Sequence, residues 1–114
     1  MKRTSTVSRY AERVLDGVDD GGSPERIVVW IERMDDGRWA VGRAVNPQHR
    51  PSNEPRPDDY ISESWELDDA LGRANAALED DARVLEADGV DRRVLPFTRK
   101  EIIPRLERWF FRGT

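Results

Sequence analysis

The sequence predicts a small α+β domain: an antiparallel three- to four-stranded sheet packed against helices, in the order α-β-β-β-α-(β)-α. Three observations predict it. The run from Arg26 to Met34 holds five consecutive β-formers, Ile27-Val28-Val29-Trp30-Ile31. Asp35-Asp36-Gly37 then leads into a second β-rich run from Trp39 to Val45, which makes a hairpin. Leu67, Ala70, Leu71, Ala74, Ala77, Leu78, Ala82 and Leu85 recur at helical spacing.

A chain of 114 residues supports one domain, 1–114, with one core. Apolar and charged residues each make up 37% of it, so that core must draw on large side chains. Four tryptophans, two tyrosines and three phenylalanines supply them.

Taken in order, the first element is expected to be an amphipathic helix over 6–16. Val7, Tyr10, Ala11, Val14, Leu15 and Val18 share a helical face, Ser5 or Thr6 can cap it, and Gly17 can end it. Asp19-Asp20-Gly21-Gly22-Ser23-Pro24 breaks the chain. In the hairpin, Trp39, Val41 and Arg43 share one face. Ala40, Gly42 and Ala44 make the other face small-sided, suited to a close helix. Pro47, Pro51, Pro55 and Pro57 turn 46–59 into a proline-rich loop, because proline at that density fits neither a helix nor an inner strand. Asp59 to Trp65 reads as a third strand, and 68–86 as a long helix with Asp68 as its cap. Asp80-Asp81 mark a place for that helix to fray or bend. Asp88-Gly89 stops it. Val90, Val94, Leu95 and Phe97 suit a short edge strand, and 98–112 a C-terminal amphipathic helix opened by a Thr98–Glu101 capping box. Pro104 kinks that helix or marks its first turn.

The net charge is −4, but it is segregated. Residues 54–91 carry 13 acids against three arginines, and residues 92–114 seven bases against two acids. Such blocks neutralise one another in the fold, or they recognise a charged partner or a second copy.

Candidate chemistry is sparse. The chain has no cysteine, which removes disulfides, thiolate nucleophiles and cysteine-based metal sites. Met1-Lys2-Arg3-Thr4-Ser5 does not open a signal peptide, and no run reaches transmembrane length, so a cytoplasmic location without a membrane partner is expected. His49 is the one imidazole, and its neighbours supply nothing to orient it as a base. The paired acids Asp35-Asp36, Asp58-Asp59, Asp68-Asp69 and Asp80-Asp81 could serve acid/base or metal chemistry only by converging, which adjacent residues do not do. Gly21-Gly22 follow a helical pattern and precede a strand, the reverse of a phosphate-binding turn. No cofactor is expected.

The layout also invites a double-stranded RNA reading, but Glu66-Leu67-Asp68-Asp69 would repel phosphates at the start of the long helix. Trp30, Trp39 and Tyr60 on an open sheet face, with Arg33, Arg38 and Arg43, could bind a single strand. The feature most like an interface is the tail. Arg105, Arg108, Trp109, Phe110 and Phe111 set consecutive aromatics among arginines, and these cannot all face one core. Gln48, His49 and Arg50 form a possible partner-contact loop. The expected function is therefore a non-enzymatic protein-binding or adaptor/regulatory domain that acts as a homodimer. The alternatives are a nucleic-acid-associated regulator using the basic termini or the aromatic sheet face, and a small enzyme centred on His49.

Overall fold

Five consecutive β-formers need hydrogen-bonded neighbours on both sides, and the chain supplies them. A computed structural model describes residues 9–18, 21–52, 54–86 and 95–103. It contains strands β1 (Arg9–Val18), β2 (Pro24–Arg33), β3 (Trp39–Val45) and β4 (Tyr60–Ser64), and helix α1 (Leu67–Glu86). The strands form one antiparallel sheet in the order β1-β2-β3-β4. This is a mixed α+β fold, the sheet packing against α1 and a second helix described at residues 99–103.

The first element corrects the expectation of a helix over 6–16: residues 9–18 are a strand. The apolar spacing there fits both periods, and tertiary context decides between them. β2 needs an outer partner, and β1 pairs with it from Arg9↔Glu32 to Val18↔Pro24. Period two then sends Ala11 and Leu15 into the core and leaves Glu12, Val14 and Asp16 exposed on the other face. Gly17, expected to end a helix, lies inside the strand.

The two sheet faces are covered differently. On the first face, Ile27, Val29, Ile31, Trp39 and Val41 pack beneath Ala70, Leu71, Ala74 and Leu78 of α1. The small face of β3 does not receive a helix, contrary to expectation. Ala40, Gly42 and Ala44 pair with Glu32, Trp30 and Val28 on the second face. β2 is thus buried on both sides from Ile27 to Glu32, which explains its unbroken apolar run.

The hairpin turn is as expected. Gly37 takes φ 93°, Asp36 accepts the Arg38 amide at 3.0 Å, and Met34 N–H donates to Arg38 O at 2.8 Å. α1 runs through Asp80-Asp81 without a break, because Asp81 is buried and accepts both arms of the Arg43 fork at 2.7 and 2.8 Å. Asp68 lies within the first turn of α1 and pairs with Arg99.

Residues 95–98 are not a strand; the rest of the expected edge strand, 90–94, lies outside the described residues. The segment is instead fastened by side chains. Asn75 accepts the Phe97 amide at 2.7 Å and donates to the Phe97 carbonyl at 3.0 Å. Arg13 donates to Leu95 O and Pro96 O, grips both oxygens of Glu101, and lies 4.6 Å over the buried Phe97 ring. Glu101 therefore serves Arg13 and not a capping box, and Thr98 contributes a backbone carbonyl that accepts the Glu101 amide at 3.2 Å. Of the expected helix 98–112, residues 99–103 are helical and 104–112 lie outside the described residues.

Candidate functional site

The second sheet face carries the candidate site, and the proline-rich loop makes it. Asn46 starts the loop in the left-handed region, at φ 50°, a conformation asparagine tolerates. Its amide donates to Arg26 O at 2.6 Å and its Oδ1 accepts the Arg26 amide at 2.8 Å, so the chain leaves β3 anchored to β2. Two single 3-10 turns follow, Pro47–His49 and Pro57–Asp59. Proline opens both, where its fixed φ fits and its missing N–H costs nothing.

One ion pair joins the two turns. Arg50 donates through Nη1 and Nη2 to the two oxygens of Asp59, at 2.6 and 2.8 Å. The Arg56 amide adds a third bond to Asp59, at 2.8 Å. Asp59 is only 5% exposed. Burial opposes its charge, yet the Arg50 fork, the Arg56 amide and the nearby guanidinium charges outweigh it and hold the carboxyl below its ordinary range. The Arg50 guanidinium is correspondingly pushed up, first by its bond to Asp59.

Beneath the loop lies Trp30, 1% exposed. Its cross-strand partner is Gly42, and its ring occupies the space a Cβ there would need. Its indole N–H donates to Glu32 Oε1 at 2.9 Å, satisfying a buried donor. Tyr60 meets the ring edge-on at 5.9 Å, and the Arg9 guanidinium lies 4.1 Å from its centroid.

Between loop and sheet a cleft of ≈ 230 Å³ remains. Its floor is Val28, Trp30 and Ala44; Arg9 and Glu12 form the wall toward β1. Pro47, Gln48, Arg50, Ser52, Glu54, Pro55 and Asp59 form the loop wall. The volume is below the roughly 300–1,000 Å³ of small-molecule sites. At about 30 Å³ per water-sized group it holds roughly eight heavy atoms, the size of one large side chain.

The expected contact residues divide here. Gln48 and Arg50 line the cleft; His49 is exposed on the adjoining turn and its ring makes no hydrogen bond among the described residues. Arg105, Arg108, Trp109, Phe110 and Phe111 lie outside the described residues. Trp30 and Tyr60 share a face, but Trp39 packs against Tyr10 on the opposite one, so the three aromatics form no common platform. Of the cleft floor, the sequence singles out Trp30 as an open-face aromatic and Ala44 within the small-sided face of β3, but it does not show that the loop folds over them to make a cleft.

Among the described residues no three or more His, Asp or Glu side chains gather to hold a metal ion. No described helix is long and apolar enough to cross a membrane. In class, this is an α+β domain with helices on one sheet face and a loop-strapped cleft on the other. No family model, no curated protein and no solved structure matches the chain.

Proposed function

We propose that this is a non-enzymatic protein-binding domain, and that the cleft under the proline-rich loop takes one anchoring side chain of a partner protein. The observation that carries the reading is the match between an apolar-floored cleft of ≈ 230 Å³ and a single side chain. Binding interfaces concentrate their energy in such central pockets, with a polar rim around them. The rim here is polar and partly preorganised, since Arg50 and Asp59 hold the loop wall in place before any partner arrives.

The test is a selection of random twelve-residue peptides against the intact chain. Ala44→Leu grows a side chain from the cleft floor, and Ser52→Trp covers the mouth from the exposed loop. Selected peptides should lose roughly tenfold or more in affinity on either variant. Full binding by both folded variants would reject the cleft as the site.

Self-association belongs to the same proposal. Trp109-Phe110-Phe111 among arginines has the composition of a dimer contact. Sedimentation should give a dimer for the parent and a monomer for the Phe110→Ala, Phe111→Ala double variant. A monomeric parent removes the dimer.

A further inference from the structure

We infer that the side chain the cleft takes is basic, an arginine or lysine of the partner protein; this rests on the cleft being the binding site. The argument is a balance of the charges that line it. Five charged side chains do so: Arg9, Arg50, Glu12, Glu54 and Asp59. Arg50 is committed to both oxygens of Asp59. Arg9 bonds Glu12 through Oε1 at 3.1 Å, leaving the second Glu12 oxygen as an acceptor. Glu54 makes no ion pair among the described residues; its amide donates to Ser52 Oγ at 3.1 Å. Among the side chains that line the cleft, carboxylates therefore outnumber guanidiniums by one, with acceptors on both walls.

Each kind of occupant meets that balance differently. An acidic side chain would face Glu54 and Glu12 while Arg50 is already bonded to Asp59. A wholly apolar one would cover the floor and leave Glu54 partly desolvated with no partner, which is costly for a charge. A basic side chain lays its methylenes on Val28, Ala44 and the Trp30 edge and brings its cationic head to the two free acceptors. The fit in size agrees. An arginine side chain has about seven heavy atoms, against a capacity of roughly eight.

The experiment uses the same selected peptides against the intact chain, with Glu54→Gln added to the variants. Peptides should share an arginine or lysine. Its replacement by norleucine should weaken binding roughly tenfold, and Glu54→Gln should do so by a similar factor. High salt should weaken the parent complex and act less on the Glu54→Gln complex. Peptides anchored by an apolar or acidic residue, or unchanged affinity on Glu54→Gln while Ala44→Leu and Ser52→Trp abolish binding, would overturn the basic anchor and leave the cleft standing. Full binding by both Ala44→Leu and Ser52→Trp would remove the cleft, and the basic anchor with it.

Discussion

Eight arginine–carboxylate pairs lie within 4 Å among the described residues, yet they differ in weight according to burial. Arg99–Asp68 is an exposed pair, its side chains 57% and 70% accessible. Water screens it, so Arg99→Ala should change stability by about 0.5 kcal/mol or less in urea unfolding. Arg50–Asp59 has the same charges at 16% and 6% accessibility. Removing Arg50 leaves a buried carboxylate with the Arg56 amide as its remaining hydrogen bond. Arg50→Ala should cost about 3 kcal/mol by the same measurement, and an equal, small loss for both variants would show that burial does not separate them. Glu32 is a different case: it is buried and accepts a neutral N–H from Trp30. Glu32→Gln keeps an acceptor for that indole and should stay within about 1 kcal/mol of the parent, whereas Glu32→Ala orphans the donor and should cost about 1–3 kcal/mol.

At the scale of elements, what was legible in the sequence were the runs with one reading. Ile27 to Ile31 has no helical alternative that avoids a wholly apolar rod, and β2 is a strand buried on both faces. The long helix was legible because Leu67, Ala70, Leu71, Ala74, Ala77, Leu78 and Ala82 keep one face over about four turns. Arg9–Val18 was not, since Ala11, Val14, Leu15 and Val18 satisfy a helical stripe, while alternation becomes evident only once Arg13 is known to point inward. A charged residue on the core face looks like an error in the pattern until its partners are seen. Those partners, Glu101 and two backbone carbonyls, lie 82 to 88 residues away. The cleft was hidden for a related reason: proline shows that 46–59 is a loop, but the Arg50–Asp59 fork decides where it folds. Fastening by side chains also makes the 95–103 segment testable as a unit. Asn75 serves the Phe97 backbone as a strand neighbour would, so Asn75→Ala leaves an amide and a carbonyl near the core without partners. The expected loss is about 1–3 kcal/mol, with amide exchange rising first at Phe97 and Glu101. Uniform exchange across the sheet instead would mean that the segment opens only with the whole domain.

Over the whole molecule, charges that are segregated along the chain become interleaved in space. The acids of 54–91 meet arginines from outside their own block: Arg38 on Glu63, Arg43 on Asp81, Arg50 on Asp59 and Arg99 on Asp68. The sheet then has one face held by apolar packing under α1 and another held by a loop whose closure is ionic. The two should respond differently to acid. Asp59 has its pKa lowered in the folded chain, so between the folded value and the unfolded value of about 3.9 the unfolded chain binds more protons. Stability therefore rises with pH through that window: the Asp59 contribution is complete above it and is lost as pH falls through the folded value. The exposed turn carboxyl of Asp36 is also lowered, chiefly by the Arg38 amide, and adds a loss of the same sign. The difference between parent and Asp59→Asn isolates the loop. Urea midpoints measured as pH falls from about 6 through that window should drop more steeply for the parent than for Asp59→Asn, the gap between the two curves narrowing as Asp59 takes up its proton. Amides of Arg56 and Asp59 should lose protection in the same window, while those of β2, under α1, keep theirs. Parallel curves for the two proteins would mean that the loop is not closed by charge, and the cleft would then owe its shape to the prolines alone.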